Sequence, residues 1–334
     1  MYQMKRGIPM QISVIVPLKN KAQEINRCID SILAQTITNF ELIIVDGNST
    51  DGSLEIVETY QDQRIQIINQ QSKGAAAGRN EGIRAAQGEL IAFLDADDEY
   101  LPEFLDIILH LVERFPTAGM YGTRGYSVAN GVIIDPQTED NIENPDNLIL
   151  DYFEAVSHGE LYSMSGVVIR KSVFDEIGMF NESLIWYEDV EMFGRIGYSY
   201  PVARSLRYGF VYHRTASNKI TDSIPILPEE HPLITFLQQQ HPEEISQRRD
   251  AQYIPPYIES LHLKFAGSQI LSNNITGARN SLSYVKNPHF RGKKYFLYVC
   301  SIMPAPLLRY LRSRTGLRYK MYDTYKKTHT RRRN

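Results

Sequence analysis

An α/β fold with a central, mostly parallel sheet flanked by helices, followed by a helical C-terminal extension, is the fold class this sequence predicts. Three observations carry that expectation. Short apolar runs alternate with helical periodicity over the first hundred residues; mixed short strands and helices follow; only helical patterns and loops remain from Pro225 onward.

The strands of the first part are expected at 12–16, 41–45, 65–68 and 90–94, each a short apolar run bounded by polar residues. Between the first two, Ile25, Cys28, Ile29, Ile32 and Leu33 recur at i, i+3, i+4, i+7 and i+8, the apolar face of a helix that covers a sheet. A second crossover helix is expected over 53–60, its start marked by Asp51 and Ser53, whose side chains accept hydrogen bonds from unpaired helix-end N–H groups. The third runs over 75–86 and stops at Gly88, and Pro102 opens a further helix to Phe115. Asn130-Gly131, between β-prone residues in 125–135, signals a hairpin. Beyond it the pattern predicts a strand over 161–170, a short helix over 172–177 closed by Gly178, a helix over 189–196 and one or two strands over 202–211. A domain boundary is expected near residue 220, between a domain of 1–220, with halves of about 11–115 and 116–220, and an extension of 221–334.

The 334 residues are 43% hydrophobic and 22% charged, which excludes collagen-like, mostly disordered and multi-span membrane classes. The net charge of −3 hides an asymmetry: residues 291–334 hold 13 of the 36 Lys+Arg and only one of the 39 Asp+Glu, so this tail carries +12 and the remainder −15. Two cysteines, Cys28 and Cys300, cannot build a disulfide framework, and a reducing cytoplasmic compartment is the expected location. Lys5 and Arg6 precede an apolar stretch, but Gln11 and Ser13 interrupt it, so a strand is expected there and no cleaved leader. The longest nearly apolar run, 296–308, contains Pro304 and Pro306 and falls well short of the roughly 20 residues that span a bilayer.

Several chemistries lose their support at once. The turn after the first strand, Pro17-Leu18-Lys19-Asn20, has no glycine for a dinucleotide fingerprint, and no Walker A loop, HExxH, paired CxxC or G-x-S-x-G elbow occurs. What is present lies at strand ends, where open α/β sheets bind ligands. Asp95-Ala96-Asp97-Asp98 places three carboxylates in four residues, which repel one another unless a cation or solvent intervenes. A hard divalent ion held by one or two carboxylates, with phosphate oxygens and water completing its shell, suits such a loop; an acidic helix start suits it too. Asp46-Gly47-Asn48-Ser49-Thr50-Asp51 offers short polar side chains for a base and ribose, or for an ordinary capped turn. Gly74-Ala75-Ala76-Ala77-Gly78-Arg79 permits close approach and carries one planar cation, suited to a phosphate or to tight helix packing.

The segments ISVIVPLKN, FELIIVDGNSTDGS, GAAAGRNEGIRAAQGELIAFLDADD and IGMFNESLIWYEDVEMFGRIG, in this order over roughly residues 11–215, resemble the family 2 glycosyltransferases of the GT-A fold. The resemblance implies a nucleotide-diphospho-sugar donor, by default a UDP-sugar, a divalent metal (Mn²⁺ or Mg²⁺) and inversion at the anomeric carbon. It makes 11–115 the donor half and 116–220 the acceptor half. By motif position, Pro17, Leu18 and Asp46 are expected to contact the base, Arg79 and Asp95 the base, ribose or phosphates, and Asp97 the metal. Many members have two adjacent acids where this chain has Asp46-Gly47, so the base is not read from the motif.

Glu188-Asp189 resembles the family's Glu-Asp pair, whose second member implies Asp189 as general base. An acceptor hydroxyl attacking the sugar's C1 must lose its proton, and a positioned carboxylate takes it. Trp186, the only tryptophan, is a candidate for stacking on a sugar or for the core, and Glu188 joins it as an acceptor-side candidate. Ser165 and Gly166 fall where the family lines the acceptor pocket with small residues. His213 is a candidate further metal ligand and Arg214 a phosphate contact, in a stretch that closes over the donor phosphates in related enzymes. The expected acceptor is a glycan or a lipid-linked saccharide. The basic tail, 291–334, suits either peripheral contact with an anionic membrane or packing on the catalytic domain; no nucleic-acid module is recognisable and none is expected as partner. A catalytically inactive nucleotide-sugar-binding scaffold of the same fold is the rival from another class; a nucleotidyltransferase would need a Gly-rich basic loop after the first strand, which Pro17–Asn20 lacks.

Overall fold

The apolar runs of the first hundred residues become the strands β1 (Ile12–Leu18), β2 (Phe40–Asp46), β3 (Ile65–Asn69) and β4 (Leu90–Phe93), all paired in parallel in the order β3-β2-β1-β4. β1, β2 and β4 are buried on both faces, and β3, at the sheet edge, is half-exposed. The structure, a computed structural model, describes residues 12–134, 148–157, 162–217 and 227–303. The stretch before residue 12, for which no cleaved leader is expected, the expected boundary near residue 220 and the basic stretch after residue 303 lie outside the described residues.

The helices that make these connections are α1 (Ile25–Leu33), α2 (Ser53–Glu58) and α3 (Ala75–Ala85). The predicted face of α1 is the buried one: Ile25, Cys28, Ile29 and Ile32 enter the same core as Val14, Val16, Leu42 and Ile44. Each such aliphatic side chain contributes about 1.5–3 kcal/mol by leaving water. α3 lies close on β1 because Gly82 has no side chain; a Cβ there would come within 2.5 Å of Ile15 Cγ2.

Next in the chain are β5 (Glu99–Tyr100) and α4 (Phe104–Arg114). The helix begins two residues later than Pro102 predicts, because Leu101 and Pro102 turn first, their carbonyls accepting from Phe104 and Thr36. The hairpin is formed by β6 (Met120–Ala129) and β7 (Val132–Ile133), with Asn130 and Gly131 both at positive φ. β8 (Leu148–Leu150), β9 (Val167–Arg170), α6 (Lys171–Ile177), α7 (Glu188–Ser199) and β10 (Val202–His213) complete this part, after α5 (Tyr152–Ser157). The sheet continues from β4 through β9, β6 and β10 to β5; β6–β10 is parallel, whereas the β4–β9, β9–β6 and β10–β5 pairs are antiparallel.

One strand is shorter than its pattern. Among the described residues of the segment expected over 161–170, β9 forms the strand, and Met164–Gly166 form a tight 3-10 turn in which Gly166 N–H donates to the Ser163 carbonyl. Packing selects the turn: a Cβ at Gly166 would meet the Phe210 ring at 2.3 Å, so the backbone itself fills that space.

The chain divides into two compact units, Met1–Leu150 with Tyr162–Asp222, and Asp151–Leu161 with Ser223–Asn334. The second therefore includes a segment from within 1–220, and α5 is its contribution: Tyr152 and Phe153 meet Tyr257 edge-on. The remaining helices of this unit are α8 (Pro232–Gln238), α9 (Pro242–Gln247), α10 (Ile254–Leu271), α11 (Ile275–Ser283) and α12 (Arg291–Ile302). Leu263, Ala266 and Ile270 of α10 form a core with Ala278 and Leu282 of α11 and Leu297 and Cys300 of α12. Among the described residues no helix is long and apolar enough to cross a membrane.

Candidate active site

Parallel pairing puts the carboxyl ends of β1, β2 and β4 at one edge, with Leu18 in register with Asp46. The loops leaving β1 and β2 are sewn together: Asn20 N–H donates to Ser49 Oγ, Thr50 N–H to Asn20 Oδ1 at 2.8 Å, and Ala22 N–H to Asp51 Oδ2. Asn20 and Asn48 both take positive φ, which asparagine tolerates better than most residues. Asp46, 2% exposed, accepts the Ser49 N–H. Pro17 is half-buried, and the Leu18 side chain is in the core with its carbonyl taken by Gly47 N–H.

The three carboxylates after β4 are kept apart in charge by three different devices. Asp95, whose side chain is 37% exposed, pairs with Arg79 at 2.8 Å. Asp97 pairs with the Lys21 ammonium at 2.8 Å. Asp98, fully buried, accepts from Ser165 Oγ at 2.5 Å and His213 N–H at 3.0 Å; burial, with Asp95 and Asp97 nearby, pushes its pKa well above the ordinary range. The repulsion evident in the sequence is thus relieved by two resident cations and by the burial of Asp98, which raises its pKa.

Arg79 extends this arrangement to a distant segment. Its two Nη atoms reach Asp95 Oδ1 and Glu188 Oε1, both at 2.8 Å, from a guanidinium that is almost wholly buried. Burial, the largest influence, opposes its charge, but Asp95 and Glu188 together outweigh it and raise its pKa. Both Nη atoms are taken by protein carboxylates, and Arg79 holds two parts of the edge together.

Glu188 and Asp189 open α7. Tyr187, just before them, has φ +68°, a left-handed conformation costing a non-glycine residue on the order of 1–3 kcal/mol. That turn brings Glu188 to Arg79. Burial raises the Glu188 pKa to about 7, with Arg79 opposing the rise and Asp189 adding to it. Asp189, half-buried in the first helical turn, accepts the Val190 N–H at 2.7 Å. A helix N-terminus favours negative charge at this place.

The other expected residues are repositioned. Ser165 and Gly166 do not line an open pocket: both are buried, Ser165 bracing Asp98 and Gly166 facing Phe210. The His213 ring places its Nε2 2.9 Å from Glu99 Oε1. The Arg214 guanidinium reaches Ser127 Oγ at 3.4 Å, and the Arg214 backbone N–H donates to the Val128 carbonyl. Trp186 is 9% exposed and edge-on to Tyr187, the core placement of the two open for it. Sequence reading passed over Lys21, Glu24 and Glu99, because none stands in a motif; their signal is spatial. Glu24 accepts from Ser217 N–H and Oγ, and Lys21 donates to the Ser217 carbonyl, fastening the segment after β10 beside the acidic loop.

Among the described residues no group of three His, Cys, Asp or Glu side chains is arranged to hold a metal. A hard cation is also held in another mode, by one carboxylate with phosphate oxygens and water supplying the rest, and the Asp97 carboxylate has the chemistry for that mode.

The fold is that of GT-A transferases. The protein superposes on Staphylococcus aureus TarS 1–349, solved with UDP-GlcNAc, with TM-score 0.61 and 17% identity over 93% of this chain and 92% of that one. It also superposes on the Pyrobaculum calidifontis mannosyltransferase PcManGT, solved with GDP-Man and Mn²⁺, with TM-score 0.53 and 17% identity over 94% and 81% of the chains. Residues 13–178 match the model of Glycosyl transferase family 2, and the chain carries a domain of that family. WfgD of Escherichia coli, a UDP-Glc:alpha-D-GlcNAc-diphosphoundecaprenol beta-1,3-glucosyltransferase, is 34% identical over 132 residues, 38% of this chain and 51% of its own length. Other curated relatives are matched over only about a third of their length, 29% and 35% in two cases.

Proposed function

We propose that this protein is an inverting, metal-assisted glycosyltransferase that moves a sugar from a nucleotide-diphospho-sugar, by default a UDP-sugar, to a hydroxyl of a glycan or lipid-linked saccharide. The observation that carries this reading is the Arg79 bridge, which ties the Glu188-Asp189 turn to the strand-end acids although 109 residues separate Arg79 from Glu188. A base beside an anion-handling edge is what glycosyl transfer requires.

In this mechanism the joined loops after β1 and β2, with Asp46 and Pro17, receive the base, and the accessible Asp95 meets the ribose. Asp97 would hold Mn²⁺ or Mg²⁺, which when bound neutralises charge growing on the diphosphate. Arg214, just after β10, adds a cation to the same phosphates. Asp189 accepts the acceptor hydroxyl's proton as that oxygen bonds C1 from the face opposite the donor phosphate. The C1–O bond to phosphate breaks and its electron pair leaves with the nucleoside diphosphate, so configuration inverts. Glu188 positions this turn through Arg79 and borders the acceptor side. The donor and acceptor chemistry named for TarS, PcManGT and WfgD supports the substrate classes.

Thermal unfolding with UDP, GDP, dTDP and CDP, each with and without Mn²⁺, tests the reading. One nucleotide is expected to raise the melting temperature in a Mn²⁺-dependent manner; at 100 times Kd the gain is about 2.7 kcal/mol, roughly 5 °C or more for a domain of this size. Asp97→Ala is expected to remove the Mn²⁺ dependence. No shift with any nucleotide in a folded sample would remove the donor site from the reading and favour a scaffold that binds no nucleotide.

The location proposed is cytoplasmic, at the membrane face. α12 begins with Arg291, Lys293 and Lys294 and leaves Tyr295, Val299 and Ile302 exposed, an apolar strip beside basic residues that suits an anionic bilayer surface. The full chain is expected to pellet with anionic vesicles and a chain truncated after Asn287 to remain in the supernatant; equal pelleting of both would end this part of the proposal.

A further inference from the structure

Lys21 is the residue whose chemistry the mechanism above leaves unused. It stands just after β1, is 8% exposed, and its backbone N–H donates to Ser53 Oγ at 2.8 Å. Its ammonium lies 2.8 Å from Asp97 Oδ2 and donates also to the Ser217 carbonyl. Burying an ammonium is costly unless an anion accompanies it, and the Lys21 stem, fixed at its backbone, holds its ammonium against Asp97. The neighbouring acids supply no alternative partner: Asp95 is engaged by Arg79, and Asp98 is turned to Ser165 and His213.

We propose that Lys21 is the resident counter-ion of Asp97 and competes with a divalent ion for its carboxylate, so that metal binding requires the ammonium to move off. The inference rests on the reading of Asp97 as the metal carboxylate. Two cations drawn to the same carboxylate oxygen repel each other strongly where water is scarce. A lysine ammonium is compact and sits on a flexible stem, so it is able to withdraw. The arriving diphosphate offers the displaced charge a new anion, which couples metal binding to nucleotide binding and leaves the nucleotide-free protein with weak metal affinity. Coupling of this kind typically amounts to 5–150-fold in affinity.

The test is Mn²⁺ binding to the full chain without nucleotide, read from the electron paramagnetic resonance of free Mn²⁺, with folding checked by circular dichroism. Lys21→Met and Lys21→Gln, the second keeping a donor for Ser217, are expected to bind Mn²⁺ about five- to tenfold more tightly than the parent protein. Lys21→Arg, which keeps the charge, is expected to match the parent. Arg27→Gln removes a nearby cation that reaches the Asp97 backbone carbonyl at 2.7 Å, and is expected to change affinity less than about twofold. Unchanged or weaker binding in both Lys21→Met and Lys21→Gln overturns the inference, as does an equal gain in Arg27→Gln. Asp97→Asn separates the two levels: if it loses Mn²⁺ while Lys21→Gln gains nothing, the competition is wrong and the metal reading stands. If Asp97→Asn binds Mn²⁺ as the parent does, the metal reading fails and the competition with it.

Discussion

Asp189→Asn is expected to lower sugar transfer by about 10²–10⁴-fold while nucleotide binding is retained. The amide is nearly isosteric with the carboxylate, so the first turn of α7 and the preceding left-handed Tyr187 persist. What it loses is the ability to accept a proton from the attacking hydroxyl, and the loss falls on the transition state. The effect should therefore appear in kcat, with the thermal shift caused by nucleotide unchanged. Glu188 does not replace it: one of its oxygens is bound to Arg79, and its pKa, raised to about 7, keeps a large protonated fraction near neutrality. A variant with near-parental turnover sinks the assignment of Asp189 as base and leaves Glu188 to be examined in the same way.

The largest effect on stability is expected from Arg79→Met, a loss of about 3–5 kcal/mol in urea-induced unfolding. The side chain is 5% exposed and joins two carboxylates, so its removal leaves Glu188 without its cation at a site that is 13% exposed. Such uncompensated burial is the costly half of a buried pair; the pair itself is worth far less. Arg79→Met with Glu188→Gln is accordingly expected to recover part of the loss, because the second change withdraws the stranded charge. A loss below about 1 kcal/mol for Arg79→Met would show that water or another cation replaces it, and the bridge would no longer explain how α7 is held.

The sheet's first half was legible because its strands are continuous Ile, Val and Leu runs. Such segments satisfy themselves only between two covering layers, and period and composition reveal them without tertiary information. The segment 161–170 was not legible as a turn and a short strand, because the preference for a strand was overridden by Phe210, distant in sequence, occupying the space beside Gly166. The partners of His213 and Ser165 were not legible for a related reason. A motif position gives the type of group, whereas the partner the group turns to, Glu99 or Asp98, depends on which strands lie side by side.

By itself the sequence determined the α/β class, the parallel order of crossovers, the gathering of acids at strand ends and the family resemblance, since each is written in local periodicity or in contiguous residues. Only the tertiary structure decided how those acids are neutralised. Arg79 spans Asp95 and Glu188, Lys21 reaches Asp97 across 76 residues, and Asp98 is buried on Ser165 across 67. The physical reason is the range of the forces involved. Helix and strand preferences act between near neighbours in the chain, but an ion pair depends on distance and on the exclusion of water, and both are set when the sheet closes around these side chains.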